Sequence, residues 1–328
     1  MLQQFSTIQP TARLTSSVAV LVPCHNEALT IAQVVADFQA SLPEAKIYVY
    51  DNRSVDDTAA IADAAGAIVR YEPIPGKGNV VRRMFADIEA DIYVIVDGDN
   101  TYEAGAVRHL VARLLEHQLD MVVGMRRSTP SELAAYRLGH RGGNLMLTYF
   151  VRMLFGARFS DMLSGYRVFS RRFVKSFPAL SNGFEIETEF TIHALELKMP
   201  FAEEPTWYKS RPPGSTSKLK TFSDGWRIVG TALLLFKEIR PLLFFSLIFL
   251  LLALTSISLS IPILSTFLAT GLVPRFPTAI LSASVMLLAF LSLTCGMVLD
   301  SVARGRREAK RMVYLSYPAP GTSELIHQ

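Results

Sequence analysis

The sequence predicts an α/β fold, a mostly parallel sheet covered on both faces by helices, followed by a pair of apolar helices. Three observations carry this. Up to about residue 127, short β-branched runs alternate with stretches of helical apolar spacing. Nearly every run ends in a loop rich in Asp, Asn, Glu, Lys or Gly. Two long stretches near the C-terminal end, 241–274 and 276–299, hold no charged residue.

The first run, 17–23, is Ser-Val-Ala-Val-Leu-Val-Pro and reads as a buried strand closed by the loop Cys24-His25-Asn26-Glu27. Ile31, Val34, Val35 and Phe38 recur at helical spacing over 28–42. A second strand at 47–50 leads into Asp51-Asn52-Arg53-Ser54, and Asp56 or Asp57 is placed to cap a helix to about Ala65. A short strand at 67–71 precedes Gly76-Lys77-Gly78, which opens a helix to about Ile88. The run Ile92-Tyr93-Val94-Ile95-Val96 ends in Asp97-Gly98-Asp99-Asn100. A helix over 104–116 and a strand from Met121, ending at Arg126-Arg127, complete the series. In such sheets the polar loops collect at the carboxyl edge, where ligands bind. Glu27, Asp51 and Asp97 all fall there.

Beyond this the pattern changes. Over 137–158, Leu145, Met146, Tyr149, Phe150, Met153 and Leu154 form one stripe ringed by Arg137, His140, Arg141, Arg152 and Arg158. It fits a core helix or, better beside a bilayer, an interfacial amphipathic helix at about 137–157. Glu185, Glu187 and Glu189 alternate among Phe184, Ile186 and Phe190. A strand would put them on one face and a helix would spread them. The stretch 211–218, Arg-Pro-Pro-Gly-Ser-Thr-Ser-Lys, carries a cation at each end and suits a loop that closes over phosphates.

The 328 residues are 50% hydrophobic, with net charge +4, pI about 9.0 and mean hydropathy +0.28. The uncharged stretches accommodate two membrane spans, about 241–263 and 277–299. Their turn holds Arg275 alone, whereas Lys218, Lys220, Arg227, Lys237 and Arg240 precede them and Arg304, Arg306, Arg307, Lys310 and Arg311 follow. The bias predicts both termini in the cytoplasm, in an integral membrane protein of a bacterial inner membrane. Residues 1–17 show no signal-peptide core, so the large domain is expected to be cytoplasmic. The basic balance reads as attraction to anionic lipid, and no nucleic-acid motif accompanies it. Cys24 and Cys295 lie in different regions and predict no disulfide. The expected division is 1–220 for the catalytic domain and 221–328 for a juxtamembrane helix, two spans and a basic tail.

Asp97 and Asp99 flank a glycine at a strand's end, so both carboxylates face one spot and suit a hard divalent cation carrying a diphosphate. With Val22-Pro23-Cys24-His25-Asn26-Glu27, Asp51-Asn52-Arg53-Ser54, Gly76-Lys77-Gly78 and Asp97-Gly98-Asp99, the chain resembles family 2 glycosyltransferases of the GT-A fold, a Rossmann-like architecture. The segments 161–167, 184–187 and 211–218 narrow the resemblance to polyprenyl-phosphate glycosyltransferases such as the dolichyl-phosphate mannosyltransferase group. The resemblance implies that Pro23, Glu27 and Asp51 hold the nucleotide and that Asp97 and Asp99 hold Mg2+ or Mn2+. Arg167, Arg211 and Lys218 would meet donor or lipid phosphates. His25, Lys77, Arg126 and Ser215 join the expected donor-binding set. Asp99, Arg167, Glu187 and Arg211 are the expected catalytic residues, Glu187 positioning sugar or acceptor. Two departures stand out: Thr101 replaces a metal-binding Gln of some relatives, and Glu185 replaces a Gln common in the mannosyl branch.

The implied reaction is inverting transfer from a nucleotide diphosphate sugar, UDP favoured, to undecaprenyl or dolichyl phosphate. Alternatives are a processive polysaccharide synthase, for which Trp226-Arg227 has the wrong order and lacks a partnering Gln, and a non-catalytic adaptor binding sugar nucleotide or lipid. Self-association is left open.

Overall fold

A computed structural model describes residues 16–127, 159–183, 185–209, 233–234 and 236–321. The basic stripe at 137–157, the loop 211–218 with Arg211, Ser215 and Lys218, and Phe184, Trp226 and Arg227 lie outside the described residues. The described chain divides into two units. Residues 16–127, 159–183, 185–209 and 313–321 form the first, and 233–234 with 236–312 the second. Residues 313–321 thus group with the first unit.

The first unit is built on β1 (Val18–Cys24), α1 (Ile31–Ser41), β2 (Lys46–Asp51), α2 (Thr58–Ala64), β3 (Ile68–Tyr71), α3 (Lys77–Asp87) and β4 (Ile92–Ile95). A 3-10 turn (Ala104–Ala106), α4 (Val107–Glu116), β5 (Met121–Arg127), β6 (Arg167–Ser170), α5 (Arg171–Ser176), α6 (Ile186–Leu197) and β7 (Phe201–Trp207) follow. The seven strands lie in the order β3-β2-β1-β4-β6-β5-β7. β3, β2, β1 and β4 are mutually parallel, β6 runs antiparallel to both β4 and β5, and β7 is parallel to β5.

The β-branched composition of β1 and β4 follows from burial on both faces: Val20, Leu21, Val22, Ile92 and Val94 are fully buried. The helical stripe of α1 buries Ile31, Val34, Val35 and Phe38 against them. A second aromatic layer, Phe85, Phe169, Phe173, Phe177 and Phe190, fills the space under α3, α5 and α6. At about 1.5–3 kcal/mol per buried large apolar side chain, these layers hold the sheet and free its carboxyl edge for polar loops. The order in which strands are laid down reverses at β1, with β2 on one side and β4 on the other, and such a switch point opens a crevice at the carboxyl ends of β1 and β4. Because β6 is antiparallel to β4, its first residue, Arg167, pairs with Ile95 at that same edge.

The second unit holds two long helices, α7 (Pro241–Thr270) and α8 (Phe276–Leu315). Pro241 stands in the first turn of α7, where its missing N–H costs nothing. Gly271, at φ +68°, closes the helix in the left-handed conformation. Both are long and apolar enough to cross a membrane, with mean hydropathy 2.6 and 2.0 in their most apolar windows. They face each other through small residues. The hydroxyls of Ser256 and Ser282 donate to each other's backbone carbonyls at 2.8 and 3.0 Å, and a Cβ on Gly296 would lie 2.8 Å from Phe245 Cβ. α8 runs sixteen residues past the expected span end at 299, through the basic stretch, to Leu315.

Candidate active site

The loops at the carboxyl edge are stitched together before any ligand is considered. Asn26 N donates to Ser54 Oγ at 2.9 Å, and Val55 N to Asn26 Oδ1 at 2.8 Å. Glu27 N donates to Thr58 Oγ1 at 2.8 Å. Asp56 accepts from Ala28 N and Thr58 N, whereas Asp57 offers α2 no side-chain cap. The loops after β1 and β2 therefore form one rim. On it His25 Nδ1 lies 2.8 Å from Asn52 O, Pro23 pairs with Tyr50 inside the sheet, and Asp51 is 5% exposed. Asp51 Oδ2 accepts from Ser54 N at 3.2 Å, while Oδ1 is buried without a hydrogen-bond partner. A buried acceptor left over at a ligand edge is the kind of group a nucleobase N–H satisfies.

Asp99 is 2% exposed and its Oδ1 accepts from Thr101 Oγ1 at 2.6 Å and Thr101 N at 3.2 Å. Thr101, standing where some relatives have a metal-binding Gln, braces the second acid. Gly98 makes the turn possible, since a Cβ there would sit 2.7 Å from Cys24 Sγ. Asp97 is the more open of the two acids, its side chain 30% exposed. Its Oδ1 accepts from Lys77 Nζ, which also donates to Glu187 Oε1 at 2.6 Å. Its Oδ2 faces Gly165, where an added Cβ would fall 2.5 Å away. Gly165 in turn donates its N–H to the buried Tyr102 hydroxyl at 2.9 Å.

Lys77, Asp97 and Glu187 thus form one ionic cluster from three distant segments. Burial alone would pull the Lys77 pKa down, but the charges of Asp97 and Glu187 more than offset this and hold it above its ordinary value. Burial pushes the Glu187 carboxyl up, opposed by Lys77 and reinforced by Asp97. Glu187 lies in the first turn of α6, so the alternating acids belong to a helix. They part company there: Glu187 goes to Lys77, and Glu189 accepts Leu180 N and Ser181 N, both at 2.9 Å.

The two arginines take other partners. Arg126, at the carboxyl end of β5, makes a two-pronged bond to Asp161, with Nε at 2.8 Å and Nη2 at 2.7 Å. Arg167 corrects the expectation that it meets phosphates. It is fully buried, and its guanidinium donates to Ser164 O at 2.9 Å, Met162 O at 2.6 Å and Thr191 Oγ1 at 3.0 Å. Burial lowers its pKa to about 10, so it remains charged at neutral pH. An arginine in a polar Ser-Gly-Tyr-Arg run reads as a phosphate ligand. Here the antiparallel strand it begins turns the side chain under the sheet edge, where it ties down the 162–164 turn beside Gly165.

Sequence reasoning missed Asn52, Tyr102 and Asp161. Asn52 Oδ1 accepts from Gly76 N at 2.8 Å and its Nδ2 donates to Glu72 O and Ile74 O, fixing the approach to Lys77. Its place directly after Asp51, at a strand end, was the available signal. Asp161 was read only as the start of the 161–167 segment and Tyr102 not at all, because their partners are remote in sequence.

The acids fit a hard divalent cation. Asp97 and Asp99 offer oxygen donors, one of them solvent-reachable. Among the described residues no group of three or more His, Cys, Asp or Glu encloses a metal site. Such a half-shell suits Mg2+ or Mn2+, which keep waters and take the remaining oxygens from a diphosphate.

Comparison with known proteins agrees with this geometry. Residues 19–177 match the model of glycosyl transferase family 2. The glycosyltransferase AglJ of Haloferax volcanii is 36% identical over 210 residues, covering 64% of this chain and 68% of that protein. The UDP-N-acetylglucosamine–dolichyl-phosphate N-acetylglucosaminyltransferase of Methanococcus voltae is 24% identical over 208 residues, 56% of this chain and 82% of that protein. Among solved structures, glucosyl-3-phosphoglycerate synthase from Mycobacterium tuberculosis, in complex with Mn2+, UDP and glucosyl-3-phosphoglycerate, superposes with a TM-score of 0.54. The match has 23% identity and covers 67% of this chain and 79% of that one, a likeness of fold. The crevice at the β1/β4 switch, its paired acids and these matches together make the chain a member of glycosyl transferase family 2, and a glycosyltransferase.

Proposed function

We propose that the enzyme transfers a sugar, with inversion, from a nucleotide diphosphate sugar to the phosphate of a membrane polyprenyl phosphate. UDP is the favoured nucleotide. The observation that carries this reading is the occurrence, in one chain, of an acidic pair with one partly exposed member and of two helices long and apolar enough to cross a bilayer. An acceptor whose tail stays in the membrane requires an enzyme held at its surface. The Methanococcus voltae relative, named for transfer to dolichyl phosphate, supports the same class of acceptor.

In this reading Pro23, His25, Glu27 and Asp51 seat the nucleotide, the open Asp51 oxygen accepting a base N–H. Asp97 and Asp99 hold Mg2+ or Mn2+, which when bound stabilises charge on the departing diphosphate. Lys77, Ser215 and Lys218 bind donor phosphates, and Arg126 lines the crevice with Asp161. Arg211 steers the acceptor. The acceptor phosphate is largely dianionic at neutral pH, its second pKa being about 6. No strong base is needed, and alignment and charge carry the catalysis. Glu187 therefore positions Lys77 and the sugar rather than abstracting a proton. Arg167 acts through the turn it holds.

Membranes containing the enzyme, offered several nucleotide sugars and undecaprenyl phosphate, should yield a sugar–phospholipid detectable by mass. Product only in polymer, or in neither fraction across all donors, would overturn the proposal.

A further inference from the structure

The fold invests heavily in placing one lysine. Gly76, at φ +124°, and Gly78 press backbone against backbone on the 181–183 loop. An added Cβ would fall 2.1 Å from Asn182 O at Gly76 and 2.0 Å from Ser181 O at Gly78. Gly78 N donates to Asn182 O at 3.2 Å, Asn52 clamps Gly76 from the other side, and Glu189 pins the loop itself. The result is a Lys77 side chain 9% exposed, delivered between Asp97 and a Glu187 side chain 7% exposed. Only the Asp97 corner of the cluster opens toward solvent.

Resting on the metal-dependent reading above, we infer that Lys77 is a resident counter-cation of the active site: its ammonium occupies Asp97 until a nucleoside diphosphate arrives, so that a divalent cation binds together with the nucleotide and not before it. A dication arriving alone must share Asp97 with Lys77, which sets two positive centres side by side at one carboxylate. A diphosphate removes that penalty by offering the ammonium a new anionic partner. Glu187 keeps Lys77 anchored meanwhile. Its Oε2 is buried without a hydrogen-bond partner, so the carboxylate has acceptor capacity in reserve. An ammonium has three donors, of which Asp97 and Glu187 engage two. Metal and nucleotide are thereby linked thermodynamically, each tightening the other.

The test is Mn2+ binding to the full-length protein in detergent, read by the free-Mn2+ electron paramagnetic resonance signal with and without UDP. Two variants are compared with wild type, K77M and the double variant K77M/E187Q, with thermal melts to confirm folding. K77M adds negative charge, so a gain in Mn2+ affinity there is partly a general field effect. The double variant restores the wild-type charge of the cluster, so a gain there reports release of Asp97 itself. If K77M fails to fold, the double variant decides alone. The expected result is Mn2+ binding without UDP at least about tenfold tighter in the double variant than in wild type. The UDP-induced tightening should shrink correspondingly, within the roughly 5–150-fold range of such couplings. Association of Mn2+ with UDP in solution is common to all three proteins and cancels. Equal or weaker Mn2+ binding by the folded double variant, while wild type binds Mn2+ with UDP, overturns this inference and leaves the proposed function standing. No Mn2+ binding by wild type even with UDP overturns both.

Discussion

Two carboxylates in the first unit, the partly exposed Asp97 and the buried Asp120, hold cations in opposite ways. Asp120 is fully buried just before β5, at the sheet edge away from the crevice. Its oxygens accept from Ser170 Oγ at 2.7 Å, Arg172 Nη2 at 2.9 Å and the Tyr314 hydroxyl at 2.8 Å. The Arg172 guanidinium also lies 4.8 Å from the centre of the Tyr314 ring. That network is closed. The Lys77 cluster has the same ingredients but leaves Glu187 Oε2 unmatched and the Asp97 side chain 30% exposed. Buried polar groups are normally satisfied, so the contrast sets an ion pair closed within the fold against one with an acceptor left over.

Four substitutions break or sharpen that contrast. The largest effect is expected at the open end. Asp99→Ala should cut transfer about 10³-fold or more with the melting temperature little changed, measured by radiolabelled donor in membranes. Retained turnover in chelator-treated membranes would remove the acids from catalysis. Next, Lys77→Met leaves facing carboxylates without their cation and should cost about 3–5 kcal/mol along with activity, read from denaturant midpoints. Asp120→Asn, at the closed end, should also destabilise, by about 1–3 kcal/mol. It should leave turnover per folded molecule near wild type, and a selective loss of turnover would end the comparison.

A third acid grades between the two. The Asp161 carboxyl is buried, which raises its pKa, but the Arg126 bonds more than offset this and hold it below the ordinary 3.8. A depressed folded pKa contributes stability above the unfolded value, lost as pH falls through the folded one. Wild type should therefore lose stability below about pH 4 in a component that Asp161→Asn lacks, seen by melting across pH.

Much of the fold was legible because its cause is local. β1 and β4 are β-branched runs buried on both faces, β2 and β5 are short apolar runs that end in charged residues, and α1 shows its stripe in four residues. β6 and β7 were not legible. Arg167–Ser170 is too short to show a period, and Phe201–Trp207 contains Pro205 and two glutamates. Such a strand is tolerated because β7 lies at the sheet edge, where a missing N–H costs no ladder bond. In the site, Asp51, Asp97 and Asp99 were readable as acids at strand ends. Their partners were not.

The sequence by itself determined the α/β class, the two long apolar helices and the acidic edge, since periodicity and strand-end chemistry are properties of neighbours along the chain. Tertiary structure alone decided that Lys77 meets Asp97 and Glu187, that Arg167 turns inward and that Asp120 closes on Tyr314. The Lys77 and Tyr314 pairings join residues separated by 20 to 194 positions. Which charges meet depends on strand order and on the remote loop, 181–183, that Gly76 and Gly78 press against, and neither is written in neighbouring residues.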